Sequence, residues 1–437
     1  MRFLQLLLIG SIALPTVLSA QDPEGVRLGL LYQPEYQPGL VVLPVAGAGG
    51  GAVSSIQSII AQDLEYSDRF QLRSVTEGAA PGEELNLALW KERGADWVLQ
   101  GSVEARSGGL TLNLVLHDAV YGRIKDQRAI ALPPPGDPNF RMAVHAASDE
   151  VVRWATGDPG MAASRVVFVL AGRGSKEVYL VDSDGENVQR VTSDGTIALT
   201  PTWGADGLRI AYTSYRSGPP MLYERDLRTG RDRVLSDREG INSTPAYSPD
   251  GRLIAFGTSV AGNTEIATLD RERNCCLEQQ TQGRQYDSFN PTFSPDGRQL
   301  AFVSDRLGQP HIYVMELGGE ARLISEYAYG SRAKNDAPDW SPRGNQIVYQ
   351  SEISPGNHQL MLADLDKGNR RVLTNVGNNE TPSWAPDGRH VVFSSKDRDG
   401  GGLFVLDTVS GTIRPLLRGQ GYGLPDWSRT LYRVAQE

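Results

Sequence analysis

The residues with the plainest chemical capacity are few and scattered. Five histidines, His117, His145, His311, His358 and His390, are spread along the chain, and its two cysteines, Cys275 and Cys276, are adjacent. A histidine can serve as general base or metal ligand, but both jobs need partners close in space. No histidine lies near the cysteines in sequence, which weighs against a thiolate metal site. Neighbouring strand residues point to opposite faces. Cys275 and Cys276 therefore read as two small, mostly buried side chains, with a strained vicinal disulfide as the other reading. DSDGEN at 182–187 hints at calcium, yet it falls between two strand patterns, and a turn is preferred. GAGGGA at 47–52 follows a strand and precedes a helix, but it does not complete G-x-G-x-x-G and lacks an acidic ribose partner, so it reads as a loop. SRAK at 331–334 fits the loose S-x-x-K pattern in a connecting loop. G-x-S-x-G, H-E-x-x-H and G-x-x-x-x-G-K-[ST] do not occur. The expectation is no catalytic residue, no cofactor and no metal.

The elements that would position such residues follow from length and pattern. At 437 residues the chain exceeds one ordinary core, and two domains are expected. Forty-three basic against 52 acidic residues give a net charge of −9, which argues against nucleic acid or an anionic membrane surface as partner. Residues 1–20, MRFLQLLLIGSIALPTVLSA, have a charged start, an apolar run and a small-residue end, and read as a secretory signal peptide. Gln21, not a cysteine, follows, so no lipoprotein attachment is expected. No later segment is long and apolar enough to span a bilayer, and a soluble exported monomer without direct membrane insertion is the reading. Residues 21–39, punctuated by Pro23, Pro34 and Pro38, read as a mobile arm.

A repeat dominates the rest. Pro201, Pro245, Pro291, Pro338, Pro382 and Pro425 are spaced by 44, 46, 47, 44 and 43 residues. Two residues after each stands an aromatic: Trp203, Tyr247, Phe293, Trp340, Trp384 and Trp427. Between them recur GADG, SPDG, SPDG, SPRG and APDG, each followed by an alternating apolar segment such as LIAF at 253–256. The Asp-Gly is expected to supply the positive backbone angles of a tight hairpin turn. Units of this length with four short strands each are β-propeller blades. Five units are complete. A sixth begins at SRVVFVLAG (164–172), and LPDWS at 424–428 can supply its missing strand and close the ring. The expected fold is an N-terminal α/β domain over 40–158, linked by DPGMAA, and a six-bladed all-β propeller over 159–437 closed by the C-terminal strand. In the first part LVVLPV, FQLRSV and the pair DWVLQGSVEA and LTLNLVLHDA read as strands, with RAIAL a further one. SSIQSIIAQDLEYSD, LNLALWKERG and NFRMAVHAASDEVVRWATG read as helices, the first capped by its serines and the second stopped by Gly94.

These blades, with SDRFQLRSV, GADWVLQGSV and AVHAASDEVVRWATG in the first domain, resemble the TolB family, periplasmic propeller proteins of the Tol–Pal system. The resemblance covers nearly the whole chain after the signal peptide. It implies a non-enzymatic periplasmic adaptor that binds the lipoprotein Pal through the propeller and TolA through the N-terminus, supporting outer-membrane integrity and constriction at division. Carried onto this sequence, the Pal-binding loops hold Ile241, Asn242, Ser243 and Thr244; Asp287, Phe289 and Asn290; Asn335 and Asp336; Asn379 and Glu380. The TolA-binding segment maps to Glu24, Val26, Arg27, Leu28 and Leu30, with a glycine inserted at 25. Two other classes stand beside this one. A hydrolase-associated propeller would need a downstream α/β-hydrolase domain, and a glycan- or cation-binding propeller lyase would need clustered His, Asp and Glu in the channel.

Overall fold

The computed structural model describes residues 36–47, 50–74, 85–260, 262–283, 285–327, 333–396 and 400–432. Residues 1–20, read as a signal peptide, most of the segment read as an arm, with Glu24, Val26, Arg27, Leu28 and Leu30, and Ser331 and Arg332 of the SRAK match lie outside the described residues.

The first part is a five-stranded sheet with three helices. In chain order these are β1 (Gly39–Val42), α1 (Gly51–Tyr66), β2 (Gln71–Arg73), α2 (Leu87–Glu92), β3 (Trp97–Arg106), β4 (Gly109–Asp118), β5 (Arg123–Leu132) and α3 (Phe140–Thr156). The sheet order is β2-β1-β3-β4-β5, with β1 parallel to both its neighbours and β3, β4 and β5 antiparallel. Strand alternation splits the core in two. Leu40 and Leu99 face α1 and α3, where Ile56, Ile60, Val144 and Val151 are buried. Val41 and Val98 face the other way and bury Trp90 of α2. α1 starts earlier than expected. Gly50 precedes it without a side-chain cap, and the serines lie inside the helix, where Ser54 Oγ bonds back to the Gly50 carbonyl. Asn86 caps α2 by accepting the Leu89 N–H, and Gly157, at φ 80°, ends α3 in the left-handed conformation.

The second part is a ring of six four-stranded antiparallel sheets. Blade 1 takes its innermost strand, Tyr422–Trp427, from the chain end and its other three from Arg165–Ala171, Lys176–Asp182 and Gln189–Arg190. Asp426 stands opposite Val167 and Trp427 opposite Val166, so the ring closes by hydrogen-bonded pairing. Blades 2 to 6 begin with Ala198–Trp203, Asn242–Tyr247, Ser288–Phe293, Asn335–Trp340 and Asn378–Trp384. The repeat aromatics Phe293, Trp340, Trp384 and Trp427 are fully buried between blades. Polar stitches join neighbouring blades in the same way twice: Asp339 accepts the backbone N–H of Trp384 and Asp426 that of Trp203.

The recurrent turn differs in detail from the expectation. Only its glycine is left-handed, with φ 70° at Gly251 and 72° at Gly297. The aspartate acts through its side chain. Ser248 Oγ donates to Asp250 and accepts the Leu253 N–H, while Asp250 also accepts the Arg252 N–H. Ser294 and Asp296 repeat that network. Cys275 and Cys276 are a second correction. They are joined in a disulfide, and Cys276 is exposed with φ 62°. They open the outermost strand of blade 3, Cys275–Gln279, and an outer edge strand has no further strand to cover it.

Candidate interaction face

Each blade runs up, down, up and down, so its connections divide between two sides. Turns between strands one and two, and three and four, leave one side. Turns between strands two and three, and the passages from the fourth strand to the next blade, leave the other. The α/β domain occupies the first side. Arg343, in the blade 5 SPRG turn, reaches Asp158, which Arg69 also holds at 2.7 Å. Arg389, next to the blade 6 APDG turn, donates to the Asp68 carbonyl at 2.8 Å. Arg141 of α3 pairs with Asp184, in the DSDGEN turn of blade 1. That string is therefore a blade turn, and its aspartates hold arginines: Asp182 accepts from Arg165 at 3.0 Å.

The opposite side holds the blade-to-blade loops. Of the residues expected to recognise Pal, only Ile241 and Asp287 lie in these loops; the others occupy the first positions of the innermost strands that the loops lead into, which corrects their reading as loop residues. The structure sorts these residues by depth. Asn242, Asn335 and Asn379 occupy the same repeat position, three before the blade proline, and all are buried. Asn242 takes Ser236 Oγ on its carbonyl and donates to the Arg238 carbonyl, both at 2.7 Å. Asn379 donates to Gln359 and to the Val376 carbonyl, and Asn335 to His311. These three brace their own loops and do not present side chains to a partner. One signal for this was in the sequence: asparagine recurring at one repeat position marks repeat structure. Asp287 is committed too, accepting the Thr264 N–H at 2.7 Å.

Ile241 is different: it is 42 % exposed. Ser243, Phe289 and Asp336, one position nearer the proline than the asparagines, are half-buried, as is Glu380. Glu380 accepts from Asn378 at 2.8 Å and lies 3.3 Å from His358 Nδ1 and 3.6 Å from Lys396. The residue before each proline is left-handed although none is glycine: Thr200, Thr244, Asn290, Ala337, Thr381 and Leu424 have φ between 46° and 53°. Each innermost strand is irregular in register at that point, so the rim of the channel is a ring of six bulges. Asn290 spans two of them, donating from Nδ2 to Asp336 at 2.6 Å. Burial pushes the Asp336 carboxyl up, against the hydrogen bonds from Ala337 N–H and Asn290.

Sequence reasoning missed most of the apolar content of this face. Ile197, Tyr327 and Val376 are exposed in blade-to-blade loops, as Ile241 is. Tyr215, Val260 and Leu307 are exposed in the neighbouring turns between second and third strands, and Ile353 at the end of the second strand of blade 5. Only their position in the loop grammar, not their type, marks them.

The channel behind the rim is a cavity of about 470 Å³. Its lining includes Asp336, Asp339, Asp426 and Arg429 and, among the described residues, no histidine. Arg429 reaches Asp339 at 2.5 Å. Burial pushes the Asp426 carboxyl up to about 6, and the neighbouring Asp339 charge adds to this. The histidines lie elsewhere. His145, in α3, and His390, which opens the second strand of blade 6, are buried between the domains, folded against carboxylates far away in sequence.

Comparison with known proteins fits this architecture. The TolB β-propeller domain family matches residues 152–431, and the TolB amino-terminal domain family matches 35–124. The Tol-Pal system protein TolB of Desulfosudis oleivorans is 33% identical over 226 residues, 50% of this chain and 50% of that one. Its counterpart from Anaeromyxobacter dehalogenans is 32% identical over 277 residues, 60% of this chain and 61% of that one. The chain thus aligns with half to three fifths of the length of these relatives. The crystal structure of TolB from Acinetobacter baumannii superposes with a TM-score of 0.77 at 26% identity, covering 90% of this chain and 97% of that one.

Proposed function

This chain belongs to the TolB family, and from that premise we propose that it is a non-enzymatic periplasmic adaptor of the Tol–Pal system. It binds Pal through the loop-bearing rim of the propeller and TolA through the N-terminal arm, and so supports outer-membrane integrity and constriction during division. No helix among the described residues is long and apolar enough to cross a membrane.

One observation carries the Pal reading. The propeller side left free by the α/β domain gathers eight exposed apolar side chains around a polar, bulged channel mouth. Apolar anchors within a hydrogen-bonding rim are the ordinary anatomy of a protein interface. Ser243, Thr244, Asn290, Asp336 and Glu380 supply that rim, and Ile241 is an anchor within it, with half-buried Phe289 as a further apolar side chain.

Calorimetric titration of Pal into the mature chain tests this. Ile241→Asp places an unpaired charge in the contact and is expected to cost about 2–4 kcal/mol, roughly 30- to 1,000-fold in affinity. Glu380→Ala costs less, since its carboxylate sits at the wet edge. Thermal melts should show both variants folded. Wild-type affinity in Ile241→Asp would move the site off this rim.

A further inference from the structure

The chemistry that the adaptor reading does not use lies where the α/β domain meets the propeller. Two histidines are buried there, one from each domain, and they are wired reciprocally. His145 of α3 faces Asp63 of α1 with Nδ1, 2.9 Å from both carboxylate oxygens. Its Nε2 points across the seam to Asp184 of blade 1, 3.7 Å away, and makes no hydrogen bond. His390 of blade 6 faces Asp387, in its own blade's turn, with Nδ1 at 2.7 Å. Its Nε2 points across the seam to Asp68, just after α1, at 3.1 Å. Each ring therefore has a carboxylate of its own domain at one nitrogen and a carboxylate of the other domain at the second.

A neutral imidazole carries one N–H and can serve only one of those carboxylates; the imidazolium serves both. We propose that His145 and His390 form a proton-operated latch, joining the two domains as imidazolium ions and releasing the seam when they lose their protons.

The surroundings favour the charged form. His145 faces Asp63 from α1, Asp182 and Asp184 from the blade 1 turn, and Arg141 and Asp149 from its own helix, with Arg165 behind Asp182. His390 faces Asp387 and Arg389 from its own segment, Asp68 from the α/β domain and Asp407 from the next strand. Arg414 of blade 6, stacked over Tyr66 at 4.0 Å, adds one positive charge near Asp63, Asp68 and Asp184. Burial alone would lower both histidines; the charge and hydrogen bond of Asp63, with Asp184 and Asp182, raise His145, and those of Asp387, with Asp68 and Asp407, raise His390. A divalent ion would have to displace cations already seated on these groups. Arg165 and Arg141 hold Asp182 and Asp184, and Arg389 holds both oxygens of Asp407.

The direction with pH follows. A group whose pKa is higher in the folded state stabilises fully below its unfolded value, about 6.5 for histidine, and loses that contribution as pH rises through the folded value. The seam is thus closed in mildly acidic solution and loosens on the alkaline side. Asp149, held up at about 7 by burial, titrates in the same range, so histidine variants and not pH alone decide the matter.

The test is hydrogen exchange of the full mature chain, corrected for intrinsic rates, at pH 6 and pH 9. Protection of α1 and of residues 385–392 should fall tenfold or more between them, roughly the loss of one charge-assisted hydrogen bond. The blade 3 strands Leu253–Thr258 and Glu265–Asp270 serve as the unchanged control. In a His145→Gln, His390→Gln double variant, protection of the seam should be low already at pH 6 and flat with pH. Should that variant not fold, Asp68→Asn removes the His390 arm alone and should lower the protection of residues 385–392 at pH 6 while the His145 arm still responds to pH, and ring-proton titration by NMR of the natural chain reads the two histidines directly. Seam protection independent of pH in the natural chain, an undiminished pH response in the variant, or two histidines titrating at or below the ordinary value would each overturn the latch.

Discussion

At the scale of single residues, depth within the loop separates contact from scaffold. The loops before the blade prolines were legible from sequence, because the proline–aromatic spacing locates them. Which side chain in each loop faces outward was not legible. Asn242 and Ile241 are neighbours, yet one is spent on the Arg238 and Ser236 groups and the other is free for a partner. Asp426 makes a related point in the channel. Its carboxyl, held up at about 6 by burial, with Asp339 adding to it, is most easily accommodated when neutral. Stability it contributes is complete below its ordinary range near 3.8 and is lost as pH rises through about 6. Asp426→Asn keeps an oxygen for the Trp203 N–H while removing the charge. It is expected to raise the melting temperature above pH 6 and to flatten its fall between pH 4 and 7, by at most about 3 kcal/mol on the scale of 1.36 kcal/mol per pKa unit. Unchanged melting curves at both ends of that range would show that the channel already neutralises this group, for example through Arg429.

At the scale of elements, the blades were readable because period-two alternation and a repeated turn report backbone geometry directly. The first strand of blade 1 was readable for the same reason, since Pro425 and Trp427 keep the pattern after five complete units. Features set by tertiary contact were not readable. The exposure of Cys276 follows from the pair opening an outer strand that no further strand covers, and nothing in the residue pattern at Gly50 and Gly51 marked the start of α1. The closing strand carries a definite expectation. Trp427 is buried, donates from its indole to Ser164 at 2.7 Å, and stands in register with Val166. Trp427→Ala should cost about 3–5 kcal/mol, in line with removal of a buried aromatic. Removing residues 424–437 should do more, because it also unpairs the Arg165–Ala171 strand and leaves an open edge. Size-exclusion profiles and thermal melts check both, and a soluble truncation with an unchanged melting temperature would mean the ring does not need this strand.

At the scale of the whole molecule, the two sides of the propeller have divided labour. Turns between first and second strands, the most repetitive feature of the sequence, meet the α/β domain where two of them depart from consensus: Arg343 replaces the aspartate of the turn, and His390 stands where other blades carry Arg209, Leu253, Gln299 or Gln346. The departures from the repeat, more than the repeat itself, marked the domain contact. The opposite rim leaves its apolar side chains exposed. If Pal is taken by that rim and TolA by the arm, the two activities rest on residues that do not overlap, and they must separate by mutation in both directions. Deleting residues 21–33 is expected to abolish TolA binding and leave Pal affinity within about twofold, a change below roughly 0.5 kcal/mol. Ile241→Asp is expected to do the reverse. Calorimetric titration of each partner into each variant measures all four values. Equal TolA affinity with and without the arm would place TolA on the folded body instead. Loss of both partners on deleting the arm would make the arm part of the Pal site as well, or a determinant of its shape, and the two binding events would then be linked through a shared free energy.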